Sequence, residues 1–299
     1  MIFIANPCAK AGRGKTIWPF WQRELKAAGF PFTWHESASQ DDAIRQARRA
    51  QTPVVAVGGD GTINNIINGL MMSGGQVPLG VLPCGARSDF CLYYEIPTEK
   101  TKALSTILQG QTRLMDLAEA TMTGGHGERA RCYFSCGVVL SLGAGTLANT
   151  LGWWNVFGQN TGPALGRLAA AWNHRPFKCY LTLDGEKFEF SRADHLIVFK
   201  NPYLAASLKL PGQTAEKDGR LSLLLFHDCS KIRLTRLLSL LAARQPLPGK
   251  NVFARAFSRA TIINDSKLPV EFEGDPIGFT PMEVELKPGR LQLIAPVKA

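Results

Sequence analysis

The sequence predicts a doubly wound α/β domain followed by a mainly antiparallel β domain. Three observations predict it. Strand and helix signals alternate over residues 1–120, which implies a parallel sheet. After Asp116 that alternation gives way to short strands of period two. The chain of 299 residues suits about two domains at roughly 150 residues each.

The elements follow in order. Met1–Ala5 is a short apolar run ending at Asn6-Pro7. A helix is expected from Trp18-Pro19, since proline suits a first turn, with Trp21, Leu25 and Ala28 on one face. Phe30, Phe32 and Trp34 alternate as in a strand. Asp41-Asp42 opens the next helix and Arg45, Arg48 and Arg49 lie toward its end, matching the helix dipole. Pro53–Val57 reads as a buried strand, and Ile63, Ile66, Ile67 and Leu70 mark a helix after it. Leu79–Leu82 is the next strand. The domain boundary is expected near 117–130, where Gly124-Gly125-His126-Gly127 marks a loop, so that domains of 1–120 and 121–299 result, with a C-terminal tail able to return to the first. In the second part Cys179, Leu181 and Leu183 alternate, Asp184-Gly185 makes a hairpin turn, and Phe188 and Phe190 alternate on the return. Leu196–Phe199, Leu221–Phe226, Val270–Phe272, Val284–Leu286 and Leu291–Ile294 are further strands, with helices near 163–174 and 230–244.

Composition removes several classes of protein. Hydrophobic residues are 45% and charged residues 19%, values of a chain with a sizeable core rather than a disordered one. No apolar run reaches the roughly 18–20 residues of a spanning helix. Met1–Ala5 is too short for a secretory leader. The 34 Lys+Arg exceed the 24 Asp+Glu to give +10, which favours a polyanionic partner. Seven scattered cysteines without a Cys-x-x-Cys pair argue against a disulfide framework or zinc site and for a cytoplasmic chain.

Two glycine-rich segments could bind phosphate. Ala9 to Thr16 resembles a P-loop but has Ala9 where the pattern needs glycine, so it reads as a basic loop. Gly58-Gly59-Asp60-Gly61-Thr62-Ile63-Asn64 is more specific. It joins a buried strand to a helix, its glycines allow close backbone approach and positive φ, and the helix N-terminus favours phosphate. Thr62 could cap the helix or meet phosphate, and Asp60 is expected to orient a metal-bound water or a hydroxyl.

Gly-Gly-Asp-Gly-Thr occurs in diacylglycerol and sphingosine kinases, NAD kinases and phosphofructokinases. Asn6-Pro7 with Gly12-x-Gly14-Lys15, Asn64, Gly80-Val81-Leu82-Pro83-Cys84-Gly85-Ala86-Arg87-Ser88-Asp89-Phe90, Leu114-Met115-Asp116-Leu117 and Asp218-Gly219-Arg220-Leu221 all resemble segments of the lipid kinases. The chain therefore resembles the diacylglycerol kinase catalytic-domain family over nearly its whole length. The resemblance implies an NAD-kinase-like first domain, a β-sandwich-like second one and ATP with Mg2+ in a cleft. The acceptor would be a membrane lipid such as diacylglycerol or ceramide. It implies nucleotide contacts at Asn6, Ser37, Gly58, Gly59, Asp60, Gly61, Thr62, Asn64 and Gly85, and a structural cation at Asp218 with the carbonyls of Ala215 and Arg220. It implies a nucleotide and an anionic membrane rather than nucleic acid as partners, and a cytoplasmic, peripheral place at the inner membrane face. Ala86 and Ser88 depart from the family's Thr and Asn.

For the catalytic base the literal Asp184-Gly185-Glu186 is a decoy, because it forms the hairpin turn. The resemblance implies an Asp-Gly-Glu triplet between strands near the C-terminus whose first acid is the base; its counterpart here is Glu273-Gly274-Asp275, with the acid order reversed, so that Glu273 is the expected base and Asp60 the other expected catalytic residue. The leucine-rich basic segment Lys231 to Arg244 could lie on a lipid surface or pack into the core, and so could Trp153, Trp154 and Phe157. Competing readings are an NAD kinase-like enzyme and a non-catalytic lipid- or nucleotide-binding relative.

Overall fold

Val54–Val57 is wholly buried, and a strand buried on both faces can read as a continuous apolar run only inside a covered sheet. In the computed structural model this run is β3 (Val54–Gly58), flanked by β1 (Ile2–Ala5) and β4 (Leu79–Pro83), with β2 (Thr33–Glu36) beyond β1. All four are parallel, with Ile2 beside Val54 and Val54 beside Leu79. The structure describes residues 1–9, 12–85, 88–140, 175–204, 208–210, 219–243, 245–272 and 275–296. The chain divides into two units, Met1–Leu117 with Tyr133–Ser135 and Lys287–Ala299, and Ala118–Cys132 with Cys136–Leu286.

In the first unit Phe3, Ala5, Val55, Val57 and Leu82 meet Trp18, Trp21 and Leu25 of α1 (Trp18–Ala27) and Ala103, Leu104 and Ile107 of α5 (Lys100–Gln109). Ala28 is exposed and Trp18 takes its expected place, because the helix already ends at Ala27. The strand expected over Phe30–Trp34 begins only at Thr33. α2 (Gln40–Arg49) is capped by Ser39, whose hydroxyl accepts from the Asp42 amide at 3.1 Å. It lies against α3 (Asp60–Met72), whose Ile63, Ile66, Ile67 and Leu70 are buried as their spacing requires. Gly69 permits that approach, since a Cβ there would stand 2.4 Å from the Ile44 carbonyl oxygen.

The second unit holds β7 (Gly137–Leu140), β8 (Phe177–Leu183), β9 (Glu186–Phe199), β14 (Arg259–Asn264), β15 (Pro269–Phe272) and the first part of β16 (Asp275–Ile294). Their pairings run β8, β9, β7, β15, β16, β14 and back to β8, a closed antiparallel ring. Closure leaves no free edge along that circuit. β12 (Leu221–His227) and β13 (Val252–Phe257) extend from β9. β5 (Thr112–Thr123) and β6 (Arg129–Phe134) are joined by the turn at Gly124–Gly127, and β10 (Tyr203–Leu204) pairs β11 (Leu208–Lys209). The segments Val284–Leu286 and Leu291–Ile294 are one strand. α6 (Lys231–Ala242) buries Leu234, Leu237 and Leu241 against Ile197, Phe199, Leu224 and Phe226, leaving Lys231, Ile232 and Arg236 exposed. Trp153, Trp154, Phe157 and the helix expected near 163–174 lie outside the described residues. All seven cysteines are free thiols, and no helix among the described residues is long and apolar enough to cross a membrane.

Two tests follow from the α2–α3 layer. Gly69→Ala should lower stability by about 1–3 kcal/mol, the usual cost of overpacking, read in a denaturant titration. Asp42 accepts from the Ala38 amide at 3.0 Å and meets His35 Nε2 at 2.9 Å, and these bonds hold its carboxyl down from the ordinary 3.8 to about 2. A carboxyl depressed by folding stabilises the fold above its unfolded pKa, so this contribution is lost as pH falls from 3.8 through about 2. Asp42→Asn should lower the thermal midpoint at neutral pH and flatten its acid dependence in that window.

Candidate functional site

In the order β2-β1-β3-β4 the chain leaves β1 for one side and β3 for the other. The loops at their carboxyl ends therefore diverge, which is where parallel α/β sheets bind ligands. Asn6 follows β1 and bridges the divergence. Its Nδ2 donates to Thr62 Oγ1 at 3.0 Å, its Oδ1 accepts from the Cys8 amide at 2.9 Å, and its own amide donates to the Val57 carbonyl. Gly58 makes room for this bridge: a Cβ there would lie 2.4 Å from Thr62 Oγ1. Gly59 is the N-cap residue of α3, and a Cβ on it would meet nothing within 4 Å among the described residues. The first amides of α3 follow it, with the positive end of the helix dipole behind them.

Two local expectations are corrected. Gly58, Gly59 and Gly61 do not adopt positive φ; Gly59 sits at −101°. Their value is space rather than left-handed backbone, which in this region falls to Gly12 at 81°. Thr62 is not the helix cap either. It lies inside the first turn, buried, and its hydroxyl receives Asn6.

Asp60 opens α3 and reaches the loop after β4. Its carboxylate accepts from Ser88 Oγ at 2.5 Å, the Asp89 amide at 2.8 Å and the Phe90 amide at 3.3 Å. Ser88 in turn caps α4 (Asp89–Tyr93), accepting from the Cys91 amide at 3.1 Å. The carboxylate expected to orient a metal-bound water or a hydroxyl is therefore also the anchor of a neighbouring helix. Ser88, flagged in the sequence only as a departure, is its partner; a Ser just before Asp89-Phe90 is the cap signature that could have found it. The Cys84 amide donates to the Gly58 carbonyl, and a Cβ on Gly14 would stand 3.2 Å from Cys84, so the loops after β1, β3 and β4 share one floor. Gly85 continues from Cys84, half-buried. Ser37, at the end of β2, is buried and bonds the Ala5 carbonyl through both its amide and its hydroxyl. Asn64 is buried one turn into α3 and its Oδ1 has no hydrogen-bond partner among the described residues. Lys15 is half-exposed, 3.6 Å from Glu36.

Residues 1–120 match the diacylglycerol kinase catalytic domain, and residues 146–295 match the YegS C-terminal NAD kinase beta sandwich-like domain. The chain belongs to this family of lipid kinases. The diacylglycerol kinase of Bacillus subtilis is 23% identical over 271 residues, covering 87% of this chain and 84% of its own. A Chromohalobacter salexigens protein named "Probable lipid kinase YegS-like" is 26% identical, covering 85% and 81%. A diacylglycerol kinase crystal structure from Bacillus anthracis superposes with a TM-score of 0.68 at 18% identity, covering 99% of this chain and 96% of that one.

The remaining sequence-derived residues of this lipid kinase fall partly outside the described residues. Glu273, Ala215 and Asp218 lie outside the described residues, as do Ala86 and Arg87. Phe272 pairs with Asp275 across β15 and β16, the strand ends that flank Glu273. Asp184 and Gly185 form the expected hairpin turn, with φ of 48° and 93°. The Asp184 carboxylate does not simply face solvent, because it accepts from the Arg259 amide at 2.8 Å and the Ser258 amide at 3.0 Å. Arg220 is described. Its carbonyl, expected to face a structural cation, accepts from the Lys200 ammonium at 3.2 Å. Among the described residues no group of three His, Cys, Asp or Glu side chains is placed to hold a metal ion.

Asp60→Asn removes the charge and one acceptor from a three-donor site. It should cost about 1.5–3 kcal/mol of stability, the range for hydrogen bonds to charged groups, and lower turnover by at least ~100-fold. Thermal denaturation and initial rates separate the two effects, and wild-type turnover would leave Asp60 as an anchor only. Gly58→Ala must push Thr62 off Asn6. It should raise the KM for nucleotide at least ~10-fold, since a displacement of about 1 Å in a phosphate cradle is costly.

Proposed function

We propose that this lipid kinase transfers the γ-phosphoryl group of ATP to the hydroxyl of a membrane lipid such as diacylglycerol or ceramide. The observation that carries the reading is the coupled pair Asn6–Thr62 and Asp60–Ser88, which braces the loops around the open N-terminus of α3. The first unit, read as a doubly wound nucleotide-binding layer, supplies Asn6, Ser37, Gly58, Gly59, Asp60, Gly61, Thr62, Asn64 and Gly85. The α3 amides favour phosphate oxygens, and the unshared Oδ1 of Asn64 is an acceptor to offer to a ligand or to water. Mg2+ accompanies ATP and neutralises phosphate charge when bound.

Glu273 is the proposed base. It takes the proton from the lipid hydroxyl as the oxygen bonds to phosphorus and the bond to the leaving diphosphate breaks. Most of the catalysis is then positioning and charge neutralisation. The net charge of +10 supports peripheral contact with an anionic membrane at its cytoplasmic face. Exposed Lys231, Ile232 and Arg236 on α6 offer a surface for it.

Incubation with labelled ATP and total lipid extract should label one lipid class. Glu273→Gln should abolish most of that labelling while ATP binding persists. Asp184→Asn keeps the turn and one acceptor oxygen, and should stay active. Inactivity of Asp184→Asn with retained activity of Glu273→Gln would reverse the assignment. In vesicle sedimentation, binding should favour anionic lipid and weaken as salt shortens the Debye length below about 8 Å. Equal binding to neutral vesicles at high salt would remove the electrostatic reading.

A further inference from the structure

α3 carries two kinds of residue along its length. Ile63, Ile66, Ile67 and Leu70 are buried aliphatics. Asp60, Asn64 and Asn68 recur at every fourth position and so share a second face. The first of these three holds the start of α4. The last holds β6. The Tyr133 amide donates to Asn68 Oδ1 at 2.8 Å, and Asn68 Nδ2 donates back to the Tyr133 carbonyl at 2.9 Å. A residue of an antiparallel neighbour exchanges the same pair of bonds with the residue opposite it. The Asn68 amide therefore does for β6, whose strand partner is β5, what one residue of a further strand would do. Nδ2 also donates to the Asn64 carbonyl at 2.9 Å, so the amide is tied to its own helix as well as to β6. Both partners belong to the first unit.

The two kinds of contact restrain α3 differently. Aliphatic burial is non-directional, so it fixes which face of the helix turns inward more firmly than the height of the helix along its axis. Hydrogen bonds have a length and a direction, and two of them to one residue of β6 leave α3 a single height. The next residue, Gly69, admits α2 at the same level. Asn68 stands just over two turns behind Asp60, about 12 Å along the axis at ~1.5 Å per residue. Successive turns of the helix are bonded to one another, so a shift at Asn68 is carried to the N-terminus.

We propose that Asn68 is a positioning residue for the nucleotide phosphates. By bonding Tyr133 it sets the height of α3, and with it the point at which the first amides of the helix and the Asn64 side chain meet phosphate oxygens. This role rests on the reading above that this helix end receives ATP, and involves neither the base nor the lipid.

The test is calorimetric titration of wild-type protein and Asn68→Ala with ATP and, separately, with adenosine, in Mg2+ and without lipid, below the unfolding transition of each. Adenosine has no phosphate to misplace. In Asn68→Ala the Kd for ATP should rise at least ~10-fold, while the Kd for adenosine stays within about twofold of wild type. A general loosening of the unit would weaken both ligands together, and that result overturns the proposal. So does a folded Asn68→Ala with wild-type affinity for ATP. Should Asn68→Ala not fold, Asn68→Gln decides. It keeps the amide on a longer stem, so that bonding Tyr133 holds α3 at a different height, and the same selective loss of ATP is expected; wild-type affinity there overturns the proposal. A wild-type protein that binds ATP no more tightly than adenosine removes the phosphate-site reading, and this role with it. A wild type that prefers ATP, with variants that share the preference in full, removes only the role of Asn68.

Discussion

The carboxyl edge of the parallel sheet depends on a mutual need. A half-buried carboxylate requires donors, and the first amides of a short helix require an acceptor. Asp60 and α4 satisfy each other, with the Ser88 hydroxyl between them. The consequence is geometric. The loop after β4 is held to the loop after β3, and the Cys84 amide repeats the link through the Gly58 carbonyl. The loop after β1 is tied in by Asn6 and by the contact of Gly14 with Cys84. Among the described residues nothing lies within 4 Å of where a Cβ on Gly59 would stand, at the start of α3.

This arrangement changes how Asp60 is understood. A carboxylate among glycines reads as reactive, because little else in such a loop can do chemistry. In the fold it carries structural load, through its bonds to Ser88 and the first amides of α4. The departure at position 88 looks different for the same reason. A serine there loses nothing that the anchor needs, since its hydroxyl both donates to Asp60 and caps α4.

The second unit answers its own constraint. A closed antiparallel ring satisfies its strand edges internally, but the strands branching from it need other fastenings. Charged groups provide them by bonding backbone: Asp184 receives the amides of Ser258 and Arg259, and Lys200 reaches the Arg220 carbonyl. Both residues tie one strand end to another.

Patterning alone determined much of this protein. Period and burial placed Val54–Val57 as a covered strand, Ile63 to Leu70 as the buried stripe of α3, and Asp184-Gly185 as a tight turn, because each signal is local. The Gly-Gly-Asp-Gly-Thr segment likewise marked a strand-to-helix junction without long-range information. Tertiary structure decided the rest. That Gly58 serves Thr62, that Thr62 serves Asn6, and that Asp60 serves Ser88 could not be read along the chain, since these partners are 4, 56 and 28 residues apart. Lys200 is the sharpest case. A lysine's default is solvent, and only the folded chain, with the start of β12 brought against the end of β9, supplies the carbonyl that lets an ammonium be buried.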